Sequence, residues 1–379
     1  MGHRYWVVLL ASLAACGEVP REGNAPPGPP NTSLRYLGGE AESGFARATV
    51  PREFVFPGDH GSHPEYQSEW WYFTGNLETP NGRHFGFELT FFRYAVAPPA
   101  SASDGVSAWR TEQIWMAHLA LTDSAGLRFI ARERLAREAL GLAGATGTPL
   151  EVWVKDWSAT GEGAVDKLAL RLEARDDVIG LSLDVMSMAL PVAHGDRGLD
   201  RKGAGFGNAS YYYSVPRLRA DGSITLEGET FPVTGLAWMD REWSTSSLES
   251  GIVGWDWFAL HLSDGGSLMF YRLRTANGEA SPYSGGSLVS AVGVRTALTA
   301  TDVSLAARDH WTSSATGTRY PIAWRLAAPA AKLSLEITPY LEDQELNLSV
   351  RYWEGAIRAE GVGPAGRLTA QGYMELAGY

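Results

Sequence analysis

A chain of 379 residues is long enough for two domains of ordinary size, each able to bury its own core. The formal net charge of −11 argues against nucleic acid as a partner, because phosphate neutralisation needs a basic face. A single cysteine excludes an intrachain disulfide and a thiolate zinc site, while 14 Trp and 43 Gly suit an aromatic-rich all-β protein with many turns.

Residues 1–15 read as a signal peptide, with Arg4 at its positive end and a brief apolar run from Tyr5 to Leu13. The run is too short to span a bilayer as a helix. Leu13-Ala14-Ala15-Cys16 resembles a bacterial lipobox, which implies cleavage before Cys16 and lipidation of its thiol. An ordinary secretory signal is the alternative. Gly17, not Asp, follows, and by the enterobacterial sorting rule this implies an outer-membrane anchor facing the periplasm. Residues 16–50 read as a tether, stiffened by Pro26, Pro27, Pro29 and Pro30. Two domains are expected after it, over residues 51–246 and 247–379.

The first folded stretch carries the densest chemistry. Asp59-His60-Gly61-Ser62-His63-Pro64 is followed by Glu69-Trp70-Trp71-Tyr72-Phe73. Asp59, His60, His63 and Glu69 can hold charge or carry protons, and Trp70, Trp71 and Tyr72 can wall off a dry pocket beside them. The structural alternative is a capped turn with core indoles. His-x-x-His also allows a metal pair, but two close histidines without a third ligand are weak evidence.

The strand from Trp70 to Leu77 enters an Asn81-Gly82 hairpin and returns over residues 85–94. There Phe87, Leu89 and Phe91 alternate with Glu88, Thr90 and Phe92. In the next strand, residues 114–122, His118 shares a face with Met116 and Ala120. Glu88 and His118 are polar groups on an apolar barrel wall if they point inward, and ordinary surface groups if they face solvent. Further strands are expected over residues 150–157, 168–174 and 179–188, with a short helix possible within 132–142. Residues 191–208, with Asp196, Arg197, Asp200, Arg201 and Lys202, read as a solvated connection or lid. The segment Trp238-Met239-Asp240-Arg241-Glu242-Trp243 closes the domain. It reads either as an ion pair at a domain junction or as catalytic Asp240 and Glu242 beside the indoles of Trp238 and Trp243.

The second half looks like a copy of the first. Trp255-Asp256-Trp257-Phe258 aligns with Trp70-Trp71-Tyr72-Phe73, and Tyr373-Met374-Glu375 echoes Trp238-Met239-Asp240. Matches in the same order suggest two tandem β units, each most simply closed as a barrel to remove its strand edges. The second copy lacks the Asp-His-Gly-Ser-His turn, so the polar site is expected in the first copy or at the interface. Asp256 and His261 fall on opposite faces of a regular strand.

These motifs, with Gly86-Phe87-Glu88-Leu89-Thr90-Phe91-Phe92 and Gly372-Tyr373-Met374-Glu375-Leu376, resemble the AttH and carotenoid 1,2-hydratase superfamily. The resemblance runs from about Val50 to the C-terminus. It implies two lipocalin-like antiparallel β-barrels packed against each other. It also implies that some members add water to the terminal C=C of acyclic carotenoids with no cofactor. Others are periplasmic lipoproteins encoded beside an ABC exporter, and the lipobox and histidine-rich turn place this chain nearer to them. A hydratase needs an acid, a base and aromatic shelter for a carbocation. Asp59, Glu69, Asp240 or Glu242 would be the acid, His60 or His63 the base, and Trp70, Trp71, Tyr72 and Trp238 the shelter. The alternative is a lipid-anchored barrel that carries an apolar molecule without chemistry. A secreted hydrolase is a weaker one, since no Gly-x-Ser-x-Gly elbow is present.

Overall fold

The computed structural model describes residues 43–99, 111–164, 166–245 and 248–379. The signal peptide, Cys16 and most of the tether lie outside the described residues. The tether's last part is packed, with Phe45 and Ala48 buried.

The first sheet has thirteen strands: β1 Ser68–Glu78, β2 His84–Ala95, β3 Gln113–Asp123, β4 Arg128–Arg137, β5 Ala143–Gly147, β6 Leu150–Val154, β7 Trp157–Ala164, β8 Lys167–Arg175, β9 Ile179–Ser187, β10 Val192–Ala193, β11 Leu199–Arg201, β12 Ala209–Leu226 and β13 Glu229–Ser244. The second has ten: β14 Ile252–Leu262, β15 Ser267–Thr275, β16 Gly285–Val289, β17 Arg295–Thr299, β18 Ser304–Thr312, β19 Arg319–Ala328, β20 Leu333–Pro339, β21 Glu345–Asn347, β22 Arg351–Gly363 and β23 Gly366–Ala377.

Both sheets are antiparallel, as expected. The first runs β4-β3-β2-β1-β13-β12-β9-β8-β7-β6-β5 and curls into a nearly closed barrel; the second stays a curled half-barrel. The duplication seen in sequence is present in the topology. The order β2-β1-β13-β12 recurs as β15-β14-β23-β22. Register agrees too: Tyr72 pairs with Asp240, and Trp257 with Glu375.

Strand alternation divides each motif between two faces. Trp71, Phe73, Phe87, Leu89, Met239 and Trp243 fill the first barrel. Phe258, Leu260, Phe270, Trp324 and Trp353 fill the half-barrel. A third core, including Tyr72, Tyr212, Trp238, Trp257, Met269 and Tyr271, lies between the sheets.

Two local expectations are corrected. Residues 132–142 do not form a helix: β4 pairs with β3 through Arg137, and a single 3₁₀ turn follows at Ala139–Gly141. Sheet pairing overrides local propensity there. Residues 191–208 are solvated only in part: Asp196, Arg197 and Arg201 are exposed, but β10 and β11 pair with β12. That pairing carries Asp200 under cover, with Lys202 next to it.

Candidate functional site

The Asp-His turn packs against β5 and bonds to β1 and β12 of the first sheet. Gly61 is required where the turn crosses β5, since a Cβ there would lie 2.6 Å from the backbone nitrogen of Gly147. Arg52 binds both oxygens of Asp59, at 2.6 and 2.9 Å. His63 lies between Asp59 and Glu69, 3.2 Å from each, and stacks on Trp243 with ring centroids 3.8 Å apart. Glu69 also takes Arg93 at 2.5 Å and Arg241 at 3.1 Å. Burial opposes its charge, but Arg93, His63 and Arg241 hold its carboxyl well below the usual range. The same contest, won by His63, the Val55 N–H and Arg52, leaves Asp59 below its ordinary value. His60 lies 2.5 Å from the Tyr213 hydroxyl, and its carbonyl accepts the Trp71 indole N–H at 2.8 Å. Burial, with Arg241, pushes His60 down to about 3, so its ring is neutral. His60 and His63 face different partners, and among the described residues no group of three or more His, Cys, Asp or Glu is placed to hold a metal. Asp59, His60, His63, Glu69, Trp71 and Trp243 therefore form one buried ion-pair and aromatic network.

The other sequence candidates face the opposite way. A cavity of about 120 Å³ lies between the two sheets. Trp70 and Tyr72 of β1, Glu88 of β2, and Asp240 and Glu242 of β13 line it from the first sheet. Trp255, Trp257, Tyr271, Tyr352, Glu354 and Glu375 line it from the second. The second copy thus supplies part of the wall, as the interface alternative read from sequence expects. Alternation explains the division. On β13, Trp238, Asp240 and Glu242 face the second sheet, and Met239, Arg241 and Trp243 face into the barrel.

Asp240 accepts three hydrogen bonds, from the Tyr212 hydroxyl and the Ser214 hydroxyl at 2.5 Å and from the Trp238 indole at 2.6 Å. Behind Ser214 stands His194, which also touches Ser287 of the second sheet. Burial outweighs the three donors and pushes Asp240 up to about 7, and repulsion from Glu242 adds to it. Glu375 occupies the equivalent place in the second copy. Among the described residues its one neutral donor is the Trp255 indole at 3.0 Å. Burial and repulsion from Glu88, Glu242 and Asp240 push it up to about 8. Burial also raises Glu88, Glu242 and Glu354. Lys202 is the one cation among the described lining residues. It lies 2.7 Å from Asp200 and 3.3 Å from Glu242. Burial opposes its charge, but Asp200 and Glu242 hold it well above its usual value.

Glu88 and His118 face neither the barrel interior nor solvent. Both meet the hydroxyl of Tyr352 in the second sheet, at 3.0 and 2.6 Å. His118 itself does not line the cavity, nor does Trp238.

Sequence reasoning missed Lys202, Tyr212, Tyr271, Tyr352, Glu354 and Glu375. Only Glu375 had a readable signal, its alignment with Asp240.

The Tyr72 hydroxyl donates to Glu354 at 2.6 Å. Tyr72→Phe removes this buried donor, so a loss of about 1–3 kcal/mol is expected in urea unfolding.

The AttH-like family model matches residues 47–379. A protein of Nitrosomonas europaea provisionally named AttH is 34% identical over 88% of this chain and 100% of its own, with a TM-score of 0.77. Kievitone hydratase from Nectria haematococca shares the fold with a TM-score of 0.66 at 16% identity, over 89% of this chain and 96% of its own. No curated protein matches the chain. The match over residues 47–379, which span both sheets, establishes that the chain belongs to the AttH-like family.

Proposed function

We propose that this chain is an envelope lipoprotein, anchored through Cys16, that binds an apolar ligand between its sheets and adds water to a C=C bond. The observation that carries the reading is the pairing of Asp240, at about 7, with Glu375, at about 8, on the two sides of one aromatic cavity. Three donors favour the ionised form of Asp240 and one favours that of Glu375, so Asp240 is placed as the base and Glu375 as the acid. The fold shared with a protein named as a hydratase supports the same chemistry.

Glu375, the weaker acid, gives its proton to one alkene carbon, and the π pair forms the new C–H bond. The adjacent carbon becomes cationic, sheltered by the faces of Trp70 and Trp257 and by the Asp240 carboxylate. Water attacks that carbon, and Asp240 takes the proton that water releases. Return of this proton to Glu375 restores the site, so the sum is alkene plus water. No organic cofactor enters these steps.

The cavity, at about 120 Å³, is close to the roughly 150 Å³ void that accepts benzene. It fits one end of a long isoprenoid, with the remaining chain outside. Incubating the folded protein with an acyclic carotenoid such as lycopene in ¹⁸O-water is expected to give a product carrying one labelled hydroxyl. Recovery of the ligand unaltered from both wild type and Asp240→Asn would instead establish a carrier, working with an exporter or alone.

A further inference from the structure

A second cavity, of about 300 Å³, opens at the half-barrel. Its lining includes Arg272, Arg274, Arg319, His310, Trp324 and Tyr379, and no carboxylate side chain among the described residues. That composition is unexpected in a chain of net charge −11. It is also the reverse of the cavity between the sheets, which has five carboxyls and one lysine. We propose that this second cavity binds an anionic head group, a carboxylate or a phosphate, joined to a short apolar portion.

The arginines are held in place from below. Asp256, fully buried, accepts from Arg272 Nε at 2.7 Å, Arg274 Nη1 at 2.9 Å and the Tyr379 hydroxyl at 2.5 Å. Two guanidinium groups thus share one carboxylate side chain. Arg274 has a structural role as well, since its Nη2 donates to the carbonyls of Ala377 and Gly378. Arg272 lacks such a second role, and its polar contacts among the described residues go to Asp256 alone. Exposed Arg319 adds a further charge and forms no ion pair among the described residues.

Arg272 spends Nε and Nη2 on Asp256, so the paired guanidinium donors that match a carboxylate or phosphate come from exposed Arg319, with Arg272 Nη1 beside them. Arg272 also lies over the Trp324 ring, 4.9 Å from its centroid, and Arg274 lies 3.6 Å from that of Tyr379. These stacks fix the charges beside apolar surface, where Trp324, Pro321 and Ala307 can receive a short hydrocarbon. A buried Asp256 needing only neutralisation would be served by Arg274. The second and third arginines at an open cavity are what a ligand uses.

The test is calorimetric titration of the full chain with the matched amphiphiles octanoate and octanol. Octanoate is expected to bind at least about tenfold more tightly. Arg319→Glu, an exposed change that leaves the Asp256 cluster intact, should abolish the difference without altering thermal unfolding. Equal binding of the two amphiphiles, or an unchanged preference in Arg319→Glu, would overturn the proposal. Two further arms separate sources of the same head group. A preference for phosphatidylglycerol over phosphatidylcholine vesicles that Arg319→Glu removes assigns a lipid, and binding of octanoate and inorganic phosphate without that preference assigns a free anion.

Discussion

Glu375→Gln is expected to lower the rate of water addition about 100- to 10,000-fold, the usual weight of a positioned acid, with unfolding little changed. Gln keeps the size of the side chain and the oxygen that accepts from Trp255. What it loses is a proton that can be given to carbon. Asp240→Asn should cost activity on the same scale for the complementary reason, since an amide cannot take a proton from water. The pH profile gives an independent reading. Asp240 must be ionised to act as base, so activity rises with pH through about 7. Glu375 must keep its proton to act as acid, so activity falls as pH rises through about 8. A narrow bell with limbs near these values is the expected result. A rate indifferent to both substitutions would remove the assignment.

The fold was legible because its strands carry their own punctuation. The Asn81-Gly82 turn joins β1 to β2 in the register that sequence suggests, with Phe87, Leu89 and Phe91 inside. The duplication was legible in the alignment of Trp70–Phe73 with Trp255–Phe258, and it reappears as a repeated strand order. The site was half legible, for a geometric reason. Alternation on β1 and β13 sends neighbouring residues of one motif to different places. Asp240 and Glu242 face the cavity, whereas Arg241 and Trp243 join the buried network with Glu69 and His63. A linear motif cannot show that split until the partner face of the sheet is known. Lys202 was hidden for another reason. Its glycine-rich neighbourhood looks solvated, and only the pairing of β11 with β12 brings it to Glu242. Glu354 and Tyr352 fall outside every motif read from the sequence, and tertiary packing alone gives them a role.

Glu69→Gln should destabilise the fold by about 3–5 kcal/mol, because it strands two buried cations and not because it removes a catalyst. Arg93 and Arg241 are both almost wholly buried, and Glu69 is the carboxylate that bonds to each. Backbone carbonyls of His63, Tyr66, Gly61 and Trp70 also accept from these arginines, but they carry no compensating charge. The pH dependence separates this account from a simple packing defect. The folded carboxyl is held below its ordinary 4.5, so above 4.5 both folded and unfolded states are ionised and the ion pairs contribute in full. As pH falls below 4.5, the unfolded chain takes up a proton that the folded chain refuses, and this contribution declines. The gap between wild type and Glu69→Gln in denaturant midpoint should therefore be widest at neutral pH and shrink in acid. A packing defect would give the same gap at every pH. A stable Glu69→Gln that has lost activity at neutral pH would return Glu69 to the catalytic role that its sequence neighbours first suggested.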